Sequence, residues 1–210
     1  MAGLDGAEDF ALAGGAALIL KGDVDRLTQD LDFFGLSASD VHQLLPEAEL
    51  ALQARGLTVR RVREGPGFVR LEVSRGNETT EVDLAADARL FPTEPAHDIR
   101  TLSSLELAVD KLLAIFSRAE ARDFVDFNAL VGRFGLERLA DLASQKDRGF
   151  SLEVFAQMLS RFDRLREVEF DMEPAAYRSL SQSVEAWRER ARELSQERGK
   201  MREHGRGLDI

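Results

Sequence analysis

LAGGAALILKGDVDRLTQDLDFF, residues 12–34, is the stretch that settles the architecture. A short apolar run, Phe10 to Ala13, ends at Gly14-Gly15, and Ala16 to Leu20 then reads as a brief helix closed by Gly22. Leu31, Phe33 and Phe34 interleave with Asp30 and Asp32, which is the pattern of a strand buried on at least one face. Positions two apart in a strand point to the same side. Thr28, Asp30 and Asp32 therefore share one face, and Leu31 and Phe33 the other.

Outward from that stretch, the first hundred residues predict a small mixed sheet. Ser39 or Asp40 caps a helix through Leu44, Leu45, Ala48, Leu52 and Ala54, stopped by Gly56. Three strand-like runs follow, Leu57 to Val62, Phe68 to Val73 and Thr79 to Leu84, and Gly65-Pro66-Gly67 and Gly76-Asn77 supply the turns of a meander. From about Thr101 the pattern turns helical. Ser103 and Glu106 have capping-box spacing, and Leu105, Leu107, Ala108, Leu112 and Ile115 recur at helical intervals. Further helices are expected around Phe124 to Phe134, Leu136 to Ala143, Leu152 to Phe162 and Glu173 to Glu197, with 145–149 and the last dozen or so residues loose. The fold class is α+β: a mixed sheet with flanking helices over 1–100, then a helical bundle over 101–210.

Composition bounds what such a chain does. Of its 210 residues 44% are apolar, enough for a sizeable core, and 28 basic against 38 acidic side chains leave a net charge of −10. That balance disfavours indiscriminate adhesion to nucleic acid or anionic membrane, so RNA has to be met through a local basic patch. Arg55, Arg60, Arg61, Arg63, Arg70 and Arg75 form one such group, although a solvated basic face is the commoner meaning of such a run. Arg188, Arg190, Arg192, Arg198, Lys200 and Arg202 alternate with glutamates and read as an exposed, ion-paired helix. There are no cysteines, no export-signal pattern and no apolar run near the roughly 20 residues that span a bilayer. A soluble cytoplasmic protein without a membrane role is expected. His42, His97 and His204 are scattered without zinc spacing, and Phe155, Phe162, Tyr177 and Trp187 read as core.

The acids carry the chemistry. Two neighbouring carboxylates repel, and a divalent cation with oxygen ligands offsets that cost while bridging to substrate phosphates. Asp83, between Val82 and Leu84, has the pattern for a third carboxylate on a neighbouring strand. Gly14-Gly15, between strand and helix, leaves backbone amides able to approach phosphate oxygens. Each feature alone also fits a bland reading: solvated strand acids, and an ordinary strand-to-helix turn.

Together, residues 12–34 resemble the first motif of the polymerase-β-type nucleotidyltransferase superfamily, a glycine pair followed by two acids separated by an apolar residue. The resemblance is closest to the AbiEii/AbiGii-type toxin branch, which includes the MenT-like tRNA nucleotidyltransferases. There an Arg and a Ser or Thr precede the acids, as Arg26 and Thr28 do here. The spacer from Gly15 to Asp30 is slightly longer than usual. LELAVDKLLAIFSRAEARDFVDFNAL, residues 105–130, is similar to a second signature of that branch, matched at Lys111, Ala114, Arg118, Arg122, Asp123 and Asp126. On one continuous helix Lys111, Arg118 and Arg122 fall within roughly 40° of one another. Phosphates of a nucleotide, or Asp123 and Asp126, are the available counter-charges.

The resemblance implies a nucleotidyltransferase-type sheet and a nucleotidyltransferase dependent on Mg2+ (or Mn2+), with an NTP as substrate. In it Asp30, Asp32 and Asp83 hold metal, and Gly14, Gly15, Thr28, Lys111, Arg118 and Asp126 serve the nucleotide. Lys111 faces phosphates while the Arg–Asp pairs mostly lock helices. It further implies a toxin that modifies a tRNA 3′ end, is paired with an antitoxin, and is regulated by phosphorylation at Thr28, where a plain β-branched strand residue is an equal alternative. A transferase acting on a protein or small molecule, and a non-catalytic member binding nucleotide or a partner, are the other readings.

Overall fold

A computed structural model describes residues 6–206 of the chain, with side chains as far as Met201. Residues 207–210 of the expected loose tail, and the side chains of Arg202 and His204, lie outside it. Two compact units divide at Leu107/Ala108. Among the described residues no helix is long and apolar enough to cross a membrane.

The first unit is built on a seven-stranded sheet. Its strands are β1 (Ala11–Ala13), β2 (Asp30–Gly35), β3 (Thr58–Gly65), β4 (Phe68–Arg75), β5 (Glu78–Ala86), β6 (Glu94–Ala96) and β7 (Ile99–Thr101), in the order β3-β4-β5-β2-β1-β7-β6. β2 runs parallel to β5 and β1 parallel to β7, and the remaining pairs are antiparallel. Helix α1 (Gly14–Leu20) follows β1 directly, and α2 (Ala38–Ala54) joins β2 to β3. Alternation sets the faces. Val69, Leu71, Val73, Val82 and Leu84 turn inward and bury with Val41, Leu44, Leu45 and Ala48 of α2.

Three local details differ from the sequence reading. α2 is capped by Ser37, whose hydroxyl accepts from the Asp40 amide while the Asp40 carboxylate accepts from the Ser37 amide, so Asp40 is the far member of a capping box. β6 and β7 occupy residues to which the sequence reading assigns no element. At three residues each they are too short for an alternation signal, and Pro95 lies inside β6. β3 carries a bulge at Val62, which puts both Arg60 and Arg63 opposite same-face residues of β4 despite their odd spacing.

The second unit is helical. α3 (Ser104–Ser117) spans the division between the units, and α4 (Ala121–Phe134), α5 (Leu136–Lys146), α6 (Leu152–Leu159) and α7 (Pro174–Arg206) follow. Phe124, Phe127 and Phe155 are fully buried, Trp187 meets Phe127 edge-on at 5.0 Å, and Tyr177 stacks on Phe162 at 5.6 Å. The basic group on α7 is not uniformly exposed. Arg188 is buried, donating to the Leu159 carbonyl and to Asp163 and Glu185, while Arg190 pairs with Glu137 and Arg198 with Asp141 across to α5.

Candidate active site

Register gathers the acids. Ala13 of β1 is opposite Asp32 of β2, Asp32 is opposite Asp83 of β5, and Asp83 is opposite Arg70 of β4. One row across four strands therefore reads Ala13, Asp32, Asp83, Arg70, with Arg63 of β3 beyond. The neighbouring row reads Asp30, Glu81, Glu72, Arg60. Side chains opposite one another share a face, so this face is acidic and guanidinium-bearing, while the other is the apolar face covered by α2. A one-residue slip would turn every carboxylate into the core. The burial of Leu31, Phe33, Val82 and Leu84 fixes the register.

Gly14 completes the row. Its φ is +58°, and a Cβ there would come within 1.8 Å of Asp32 Oδ2. Both facts demand glycine: a left-handed backbone and a carboxylate pressed against it. A Cβ on Gly15 would come within 2.3 Å of an Arg26 guanidinium nitrogen, so the second glycine makes room for that side chain. Thr28 Oγ1 donates to Asp30 Oδ1 at 2.5 Å, which fixes one oxygen of the first acid. Gly14, Thr28, Asp30, Asp32 and Asp83 thus meet on one face of the first unit.

In the sequence Arg70 is one of a group of arginines spread over strand-like segments. Its Nε and Nη2 donate to Asp83 Oδ1 and Oδ2 at 2.8 and 2.7 Å, and its Nη1 is 2.8 Å from Glu81 Oε2. The Asp83 hydrogen bonds, and then the charges of Asp83, Glu81 and Asp32, hold its guanidinium well above the ordinary arginine value against the opposing effect of burial. The usable signal was parity: Arg70 sits between Val69 and Leu71, on the side of β4 that cannot face the core. Arg60 is likewise held by Glu72 and Arg61 by Glu49. Much of the proposed basic patch is therefore ion-paired.

Among the described residues no group of three or more carboxylate or imidazole side chains stands ready to hold a metal ion. The donor chemistry nonetheless suits a hard cation: Asp30 and Asp32 lie side by side on β2, with Asp83 on the next strand. Asp30 has one oxygen accepting from Thr28. Asp83 has both oxygens in the Arg70 fork.

The second motif folds differently from one continuous helix. α3 ends at Ser117, Ala119 takes a left-handed conformation (φ +54°), and α4 starts after Glu120, which forms a capping box with Asp123. Lys111 is on α3, Arg118 beyond its end and Arg122 on α4, so the expected single cationic face is not formed. Neither glycine nor proline marks the break. Lys111 Nζ is 2.8 Å from Asp126 Oδ2 and 3.5 Å from Asp123 Oδ1, with the lysine side chain 8% exposed and both aspartates fully buried. Arg118 grips Asp123 with two bonds of 2.9 Å. Burial pushes the Asp123 carboxyl up, but the Arg118 fork and the Lys111 charge outweigh it and hold the group below its ordinary value. Lys111, expected to face phosphates while the Arg–Asp pairs lock the helices, is here ion-paired with the aspartates of that network.

A sheet of this order, with paired acids on the strand after a glycine turn, is the nucleotidyltransferase type. The chain belongs to the family described as nucleotidyl transferase AbiEii toxin of type IV toxin–antitoxin systems, which it matches over residues 4–201. It is thus a toxin-type nucleotidyltransferase. JHP933 from Helicobacter pylori has a similar fold (TM-score 0.52, 15% identity, covering 99% of this chain and 93% of that one), as does a putative nucleotidyltransferase from H. pylori (TM-score 0.54, 15% identity, 92% of each). The MenT4 nucleotidyltransferase toxin from Mycobacterium tuberculosis superposes with a TM-score of 0.49 at 22% identity, over 89% of this chain and 74% of that one. No curated protein matches the sequence.

Proposed function

We propose that the chain is the toxin of a toxin–antitoxin pair that transfers a nucleoside monophosphate from an NTP to the 3′ end of tRNA in the cytoplasm, blocking translation. The row Gly14–Asp32–Asp83 supports this most, because it sets carboxylates on bare backbone where a polyphosphate can approach. Asp30 and Asp32 would hold Mg2+ (or Mn2+), joined by Asp83. Divalent cations held there would supply charge neutralisation for the polyphosphate and a lowered pKa for the acceptor hydroxyl. The acceptor oxygen bonds to the α-phosphorus, the bond from that phosphorus to the β-bridging oxygen breaks, and pyrophosphate departs. Asp83 takes the hydroxyl proton. The Thr28 hydroxyl orients Asp30, and its phosphorylation would place about two negative charges beside the nucleotide and silence the enzyme. The second motif carries the part given to Lys111, Arg118 and Asp126 in nucleotide binding: an ammonium has three donors, so a pair with Asp126 leaves capacity for a phosphate.

Purified protein incubated with total tRNA, Mg2+ and each labelled triphosphate in turn is the test. Label on tRNA supports the proposal. Label on protein or a small molecule moves the acceptor, and no label anywhere leaves a nucleotide- or partner-binding role.

A further inference from the structure

Arg70 is forked between two acids of unlike exposure. Asp83, with a side chain 10% exposed, receives two of its nitrogens, and Glu81, with a side chain 47% exposed, receives the third. A planar guanidinium bound bidentately occupies both oxygens of the carboxylate it holds. Mg2+ requires such an oxygen at about 2.0–2.1 Å, and a guanidinium within hydrogen-bond reach of the same oxygens is a like charge at close range. The two cations cannot share Asp83 on equal terms.

We propose that Arg70 is a removable counter-ion which caps Asp83 until a divalent cation displaces it. The inference rests on the metal-dependent reading above. Half of the handover is already built: Glu81 lies on the same strand and face as Asp83, reaches the outer nitrogen of the fork at 2.8 Å, and keeps the guanidinium partnered as it leaves. Without Arg70, Asp83 loses the cation that holds both of its oxygens and faces Asp32 across adjacent strands. Arg70 thus stabilises the metal-free sheet and opposes metal binding, two effects of opposite sign on one side chain. A merely structural arginine would show the first alone.

Mn2+ binding to the metal-stripped full chain, without nucleotide, followed by the loss of the free-ion paramagnetic resonance signal, separates the possibilities. Arg70→Gln is expected to tighten Mn2+ binding about tenfold, within the usual range of site–site coupling, while lowering the Tm of the metal-free protein. Arg70→Lys, which keeps the charge but loses the fork, should give a smaller gain and serves if the glutamine variant does not fold. Adding Asp83→Asn should abolish the gain. Mn2+ affinity unchanged or weakened in both arginine variants overturns the proposal. Wild-type binding that disappears in Asp32→Asn shows that the metal reading survives that failure. No Mn2+ binding by wild type or any variant ends the metal reading and this inference together.

Discussion

Gly14 is where one atom decides most. Its φ of +58° and the 1.8 Å approach of a would-be Cβ to Asp32 act together, so Gly14→Ala pays twice, in backbone strain and in a displaced carboxylate. A loss of about 1–3 kcal/mol in stability is expected, with transfer falling further than stability because Asp32 no longer points where it did. Urea unfolding alongside a labelled-nucleotide assay checks both. Asp30→Ala should leave the fold intact and lower transfer by about a hundredfold or more, since positioning and charge neutralisation supply most of such catalysis. Wild-type-level transfer by that variant would remove Asp30 from the site. Thr28 sits one hydrogen bond from Asp30, and a negative charge there repels both acid and nucleotide. Thr28→Glu should lose about tenfold in transfer for each 1.4 kcal/mol of added repulsion, whereas Thr28→Ser, which keeps the hydroxyl, should stay near wild type.

At the scale of elements, the α3–α4 junction depends on charge. Buried Lys111, Asp126 and Asp123 and the half-exposed Arg118 form a chain of opposite charges, and removing the lysine takes a counter-charge from two buried carboxylates. Lys111→Met is expected to cost about 3–5 kcal/mol, a fall in Tm on the order of 10 °C for a chain of this size. The Asp123 carboxyl is depressed, so its contribution is fully present above the unfolded value of about 3.9 and disappears as pH falls through the lower folded value. Thermal melts from pH 7 downward should show a steep acid limb in wild type that is flatter in Asp123→Asn. The same junction shows what the sequence could not reveal. Lys111, Arg118 and Arg122 fit one helix face by arithmetic, and SRAEAR contains no breaker, yet Ala119 goes left-handed because Asp123 caps the next helix and its grip on Arg118 rewards the turn. Side-chain electrostatics set that boundary, and backbone propensity is blind to it. Local signals worked where they were strong: alternation around Asp30 and Asp32, the glycine turns of the meander, and helical spacing in α4 to α6. They failed for β6 and β7, which exist through pairing with each other and through the pairing of β7 with β1.

For the whole molecule, charge frames substrate capture. With a net charge of −10 and Arg60, Arg61 and Arg70 already held by carboxylates, the surface offers a polyanion such as the proposed tRNA acceptor little long-range attraction. Association with tRNA should therefore have a shallow salt dependence, with a log–log slope corresponding to only a few phosphate contacts. Filter binding between about 50 and 200 mM salt measures it, and a slope near that of a strongly basic RNA-binding protein would contradict the idea. The candidate acids were legible in the sequence because parity and motif spacing are local properties. Parity puts Arg70 on the polar side of its strand, but its pairing with Asp83 is defined only once β4 has paired with β5.

β2 and β5 are hydrogen-bonded neighbours running in the same direction, so everything between them, α2 and two strands, must be made before Asp83 can stand beside Asp32. A polypeptide still leaving the ribosome after β2 has half of its acidic row and nothing to set against it. For a toxin-type nucleotidyltransferase this order of assembly means that the acidic row stays incomplete until a late hydrogen-bonded ladder closes.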